Sequence, residues 1–260
     1  MIIEIFGPPC VGKTTLAQAL ASHLQKHGLQ VELALSYRPT ELSADQAAEG
    51  SLVGQVGIVV RRVTRPMLEM LGTARELYGR SWEAGTATAL LQAIPPGSLA
   101  WSIRLRQYIW RRAHLWRSSL HVPFVLIFDQ AFVQVVYSLA LAGAPVDKEC
   151  LARAIDIVPL PDVLIRLDAP RATVEERLVD RRRRQGAIER LLEVDLRTHL
   201  ESLGLIDTLH ELLRRRGQAV IHVRSDDRES LQGVVEGLGR EIMARFPAAA
   251  PAALAEPLLS

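Results

Sequence analysis

The chain has 260 residues, enough for one large α/β domain or a core domain with an inserted subdomain, and is 48% hydrophobic and 23% charged, as a soluble globular protein is. A net charge of +2 argues against a general nucleic-acid binder, and no run of about 18 apolar residues offers a membrane span. The two cysteines, Cys10 and Cys150, form no metal-ligand spacing, and a disulfide at Cys10 would obstruct the loop it sits in, so a reducing cytoplasm is the expected location.

The first element is Ile2-Ile3-Glu4-Ile5-Phe6, a short apolar run read as a buried strand and too short for a signal peptide. Gly7, Gly12, Lys13 and Thr14 then match G-x-x-x-x-G-K-[ST]. Leu16, Ala19, Leu20 and Leu24 follow at helical spacing, giving a helix over 14–27. Strand, glycine loop and helix together are the context in which this motif cradles a polyphosphate. The loop Gly7-Pro8-Pro9-Cys10-Val11-Gly12-Lys13-Thr14-Thr15 must turn its N–H groups inward, beside the positive end of the helix. Gly7 and Gly12 permit the necessary dihedrals. Pro8 and Pro9 have no N–H, so the phosphate donors are expected from residues 10–15. Lys13 is expected to reach the β- and γ-phosphates, and the Thr14 hydroxyl to ligate Mg²⁺.

Further along, Gln30–Ser36, Phe124–Asp129, Val163–Asp168 and Ala219–Arg224 read as strands two to five. Between them lie helical patterns: several over 41–120, then 130–142, 147–157, 171–216 with a break, and 227–245. Alternation of this kind implies a parallel sheet with helices on both faces and a ligand beyond the carboxyl ends of the strands. Residues 37–123 are too long for a simple crossover and read as a helical insertion. Within them Glu69–Tyr78 and Trp82–Ile94 look helical, and Ser98 is placed to cap a helix over Leu99–Leu120. That helix carries a stripe of Trp101, Leu105, Tyr108, Ile109, Ala113, Trp116 and Leu120, read as core rather than as a base-stacking surface. The tail 246–260 is rich in Ala and Pro and is expected to fray.

Several residues outside the loop are candidates for chemistry. Asp129 ends the third strand at the edge where Lys13 and Thr14 emerge. It can orient Mg²⁺ or take a proton from an acceptor hydroxyl, and can also cap the helix beginning near Ala131. Asp168, ending the fourth strand, is expected to cap the next helix. In Thr173–Arg184, Arg177 and Arg181 lie one turn apart and can neutralise a transferring phosphoryl group, against a plainer reading as a solvated basic face. Arg38, after the second strand, is a candidate for an acceptor's anion, and Arg61, Arg62 and Arg65 form a further basic group.

On these residues the chain resembles the phosphate-loop kinases of small molecules, and within them the thymidylate kinase group. GPPCVGKTT is similar to their phosphate loop, and LSYRPTE to their T-R-E-P-G segment, with Arg38 and Pro39 retained. Arg111-Arg112-Ala113-His114, ahead of the strand ending in Asp129, resembles their R-x-x-H helix before D-R-[YFH]. LDAPRATVEERLVDRRRR resembles their lead into the lid, and Val223–Ile242 their last strand, adenine-side loop and final helix. The family has arginine where this chain has Gln130, and the insertion differs from the family's.

The resemblance implies a single phosphate-loop kinase domain over 1–245, with 37–123 on the acceptor side and a lid at about 177–190. It implies ATP, Mg²⁺ and phosphoryl transfer, Ser225 and Asp226 on the adenine side, and Arg111 and position 130 toward the acceptor. The strand order is expected to be 2-3-1-4-5. The acceptor is expected to be a small molecule: a nucleotide, a nucleoside or a sugar-like metabolite. A homodimer is compatible with this reading, and a nucleic-acid partner is not expected. Two other functions stand beside it: a nucleotide-binding regulatory protein without transferase activity, which Gln130 favours, and an RNA-end kinase, suggested by the Trp and Arg content of 101–117 and opposed by the near-neutral charge.

Overall fold

The computed structural model describes residues 1–35, 81–120, 122–142, 146–184, 203–224 and 228–245. The chain divides into two compact units, one formed by 1–34, 118–134 and 160–260, the other by 35–117 and 135–159.

The first unit is built on five parallel strands: β1 (Ile2–Phe6), β2 (Val31–Ala34), β3 (Val125–Phe128), β4 (Val163–Asp168) and β5 (Val220–Arg224). Their order is β2-β3-β1-β4-β5, as expected. Alternate residues of a strand point to opposite faces, and all five residues of β1 and all four of β3 are buried, so helices cover both faces of the centre. The edge strands are short and half-open: Glu32 and Leu33 of β2 and His222 and Arg224 of β5 are exposed.

Helix α1 (Lys13–Lys26) follows the glycine loop and buries Leu16, Ala17, Leu20, Ala21 and Leu24, a stripe at three- and four-residue steps. It ends at His27 and at Gly28, whose φ of +86° suits the left-handed turn beyond a helix. It packs on α8 (Arg228–Arg245), where Gly239 lies against the His23 ring: a Cβ there would come within 2.4 Å of it. Two more helices of this unit follow β4: α6 (Arg171–Arg184) and α7 (Leu203–Arg215).

In the second unit, α2 (Trp82–Ala93) is capped by Ser81, whose hydroxyl accepts the Ala84 N–H at 3.2 Å. Helix α3 (Leu99–Ser118) is capped by Ser98, which accepts the Trp101 N–H at 3.3 Å. Leu105, Ile109, Ala113 and Trp116 are buried, as the core reading of this stripe expects. Leu120 is not: the helix ends at Ser118 and Leu120 is 55% exposed. Helix α5 (Lys148–Ile157) is capped by Asp147 and packs on α2. Helix α4 (Phe132–Ala142) begins in the first unit and runs on into the second.

Element bounds differ from the sequence expectation by a residue or two. Gln30 still offers its carbonyl to Val125 at 2.9 Å but lies before β2, and Leu35 has left that strand. Phe124 accepts the N-terminal ammonium of Met1 instead of joining β3. Helix α4 starts at Phe132 rather than at 130, because Asp129 and Gln130 bend out of β3. The helix expected at Glu69–Tyr78 and the tail 246–260 lie outside the described residues. No described helix is long and apolar enough to cross a membrane.

Candidate functional site

The register of the sheet brings one set of residues to the carboxyl end of β1. Glu4 pairs with Phe128, so β3 ends and delivers Asp129 beside the loop that follows β1. Phe6 pairs with Arg166, so Gly7 meets Leu167 of β4. The approach there is tight: a Cβ on Gly7 would lie 2.2 Å from the Leu167 carbonyl oxygen. Only glycine fits, and its φ of +154° lets the chain turn away from the sheet. The loop turns again at Cys10, φ +60°, and at Gly12, φ +105°. A non-glycine residue held in the left-handed region marks a strained loop. No side chain caps α1 at Gly12.

Lys13 is buried and folds back on the loop, its Nζ donating to the carbonyls of Gly7 at 2.9 Å and Pro8 at 2.7 Å. The Thr14 hydroxyl donates to Asp129 Oδ2 at 2.8 Å, and Asp129 is wholly buried. A hydroxyl and a carboxylate side by side are oxygen donors of the kind a hard divalent cation takes. From α6, Arg177 Nη1 donates to the carbonyls of Val11 at 3.3 Å and Cys10 at 3.5 Å. The guanidinium therefore lies on the loop rather than on a wholly solvated face. Of the remaining loop residues, Pro8 and Val11 are buried, Pro9 is half-buried, and Thr15 is exposed.

Two residues of this site were not singled out in the sequence. Gln134, in the first turn of α4, accepts the Gly7 N–H on its Oε1 at 3.2 Å. Glu4, in the middle of β1, accepts the N–H groups of Ala131 at 3.2 Å and Gln134 at 3.1 Å on its Oε1. Glu4 is the one charged residue in IIEIF and Gln134 the one amide in the mostly apolar FVQVVYSLALA, and that contrast was the available signal.

Asp168 does not act as the expected helix cap. Its Oδ2 accepts from Arg166 Nε at 2.9 Å and lies 2.7 Å from His222 Nε2, while Arg166 also bonds Asp207 at 2.6 Å. Burial works against the Arg166 charge, but the two aspartates outweigh it and raise its pKa above the usual value. These side chains line a cavity of about 490 Å³ that also touches Pro8 and Arg224. Arg166 pairs with His222 and Asp168 with Arg224 across β4 and β5, so the cluster is a product of strand register.

Gln130 is half-buried in the bend before α4. Arg111 is exposed on α3, in the second unit, where His114 stacks on Trp110 and lies 3.9 Å from Glu83. Arg181 follows Arg177 by one turn of α6, with its side chain outside the described residues. Arg38, Arg61, Arg62, Arg65, Ser225, Asp226 and lid residues 185–190 lie outside them altogether.

No protein-family model matches the chain. No curated protein matches it either. Among solved structures it is similar to a thymidylate kinase from Ehrlichia chaffeensis, at 14% identity and a TM-score of 0.44, over 93% of this chain and 98% of that one.

Proposed function

We propose that this protein transfers the terminal phosphoryl group of ATP to a small-molecule acceptor, a nucleotide, a nucleoside or a sugar-like metabolite. The observation that carries the reading is the Thr14–Asp129 contact of 2.8 Å at the mouth of the glycine loop. In phosphate-loop NTPases a loop Ser or Thr and an aspartate at the end of a neighbouring strand are the pair that holds Mg²⁺. The ion, when bound, neutralises charge on the β- and γ-phosphate oxygens.

The chain's own groups take the other roles. The N–H groups of residues 10–15 and the N-terminus of α1 hold the phosphates. Lys13 exchanges the carbonyls of Gly7 and Pro8 for β- and γ-phosphate oxygens. Arg177, already against the loop, stabilises charge on the transferring group, with Arg181 beside it and about 177–190 as a lid. Asp129 orients the metal through water or receives the proton of the acceptor hydroxyl. Ser225 and Asp226 are assigned to the adenine side. Arg38 and Arg111, within an acceptor-side insertion over 37–123, and Gln130, just past the end of β3, are assigned to the acceptor. The reading extends to a single kinase domain over 1–245, in the cytoplasm, and is compatible with a homodimer.

A nucleotide-binding regulatory protein is the second reading, favoured by Gln130 standing where the resemblance calls for arginine. The test is a screen of nucleotides, nucleosides, sugars and antibiotics with ATP and Mg²⁺, scored by ADP release above the level without acceptor. Release with one acceptor class supports transfer. ATP binding with no release from any class supports the regulatory reading.

A further inference from the structure

Glu4 is wholly buried at the middle of the central strand, in a run that is otherwise apolar. Its Oε1 satisfies two donors at the start of α4, the N–H groups of Ala131 and Gln134. Its Oε2 is buried and accepts no hydrogen bond. The carboxyl therefore caps a helix from a different element, and half of it is left unsatisfied, an arrangement that costs stability. What it holds leads directly to the glycine loop. Gln134 accepts the Gly7 N–H, and Asp129, two residues before Ala131, accepts the Thr14 hydroxyl.

We propose that Glu4 is a positioning residue for the phosphate site: its carboxylate fixes the first turn of α4, and that turn, through Gln134 and Asp129, sets Gly7 and Thr14. The proposal rests on the reading of the loop as a Mg²⁺·ATP site. Burial pushes the Glu4 carboxyl up to about 7, against the N–H groups of Gln134, Ala131, Val133 and Phe132, which pull it down. A charged acceptor binds N–H groups more strongly than a neutral one. Loss of the Glu4 proton therefore tightens the turn, and affinity for Mg²⁺·ATP rises with it.

Among the described residues, the other titratable groups on this face of the sheet have partners of their own or are exposed. Strand alternation and register put Glu32 of β2, Arg166 and Asp168 of β4, and His222 and Arg224 of β5 on the Glu4 face. Arg166, Asp168 and His222 bond among themselves and to Asp207 of α7, near His210, while Glu32 and Arg224 are exposed. Lys13 of α1 is held by loop carbonyls.

The test is calorimetric titration of Mg²⁺·ATP into the wild type and Glu4→Gln from pH 5.5 to 8.5. Gln keeps an acceptor oxygen and is permanently neutral. The terminal phosphate of ATP titrates in the same range against both proteins, so the ratio of their dissociation constants isolates Glu4. The wild type is expected to bind about threefold to tenfold more tightly than Glu4→Gln at pH 8.5, with the ratio falling toward one at pH 5.5. A ratio that does not change with pH overturns the proposal. If Glu4→Gln does not fold, Gln134→Ala leaves Glu4 in place and cuts the tie to Gly7. It is expected to weaken Mg²⁺·ATP binding by about threefold to tenfold at pH 8, and unchanged affinity overturns the proposal. Failure of the wild type to bind Mg²⁺·ATP at all overturns the nucleotide reading, and this proposal with it.

Discussion

Gly7→Ala puts a methyl group 2.2 Å from the carbonyl oxygen of Leu167 and 3.3 Å from its carbon. A relaxed contact between such atoms needs about 1 Å more room. The obstacle is backbone in a strand paired with β1 at Phe6↔Arg166, so it cannot rotate away as a side chain would. Forcing a methyl into a filled space costs about 1–3 kcal/mol, and an alanine at φ +154° adds about 1 kcal/mol or more. The smaller entropy of the unfolded alanine chain offsets about 0.4–1 kcal/mol of this. The net expectation is a loss of about 2–3 kcal/mol, or roughly 5–10 °C in Tm for a chain of this size. Gly12→Ala is the control, since at φ +105° its Cβ would meet nothing within 4 Å and only backbone strain applies. Thermal unfolding of both variants, followed by circular dichroism, measures the difference. Mg²⁺·ATP affinity should fall more than about tenfold in Gly7→Ala, because this residue's carbonyl holds Lys13 and its N–H holds Gln134. If Gly7→Ala is no less stable than Gly12→Ala, the close approach of loop to β4 is refuted.

Lys13→Ala should abolish high-affinity binding of Mg²⁺·ATP by calorimetry, while chemical denaturation shows the fold retained; an unchanged dissociation constant would remove Lys13 from the site. Arg177→Ala should lower turnover more than it weakens ATP binding, and Arg177→Lys should rescue only part of the loss, because an ammonium lacks the guanidinium fork. Steady-state kinetics decide this, and wild-type turnover in the alanine variant would leave Arg177 only its contact with the loop carbonyls. The buried Glu4 makes stability depend on pH: its folded pKa of about 7 stands above the unfolded value of 4.5, so the native state binds the extra proton between them. Its contribution is fully present below about pH 4.5 and is lost as pH rises through 7, a change of about 3 kcal/mol. Urea unfolding across that range should show the loss in the wild type and not in Glu4→Gln, and parallel profiles would contradict it.

The sheet was legible in the sequence because β1, β3 and β4 are buried on both faces and read as near-continuous apolar runs, which few other arrangements produce. The glycine loop was legible because its spacing is tied to backbone dihedrals that the structure adopts at Gly7 and Gly12. Asp129 was legible because it ends a buried strand. Arg177 stood out within a basic helix, although its contact with the carbonyls of Cys10 and Val11 depends on how α6 returns to the loop. Glu4 and Gln134 were not legible, since their partners lie 127 to 130 residues away in sequence. Asp168 was misread as a cap for a related reason. Local rules see Pro170 and a helix ahead of it, whereas its partners include His222, 54 residues away in sequence on the paired strand.

The central claim, that Asp129 and the glycine loop carry out phosphoryl transfer and do more than bind nucleotide, is tested most directly by single-turnover transfer from labelled ATP, by the wild type and by Asp129→Asn, with the acceptor found in the screen. Asn keeps the size of the side chain and an oxygen able to accept the Thr14 hydroxyl, so ATP affinity should stay within about tenfold. Transfer should slow by roughly a hundredfold or more, the scale for losing a positioned acid–base group. Transfer at the wild-type rate by Asp129→Asn would contradict the account.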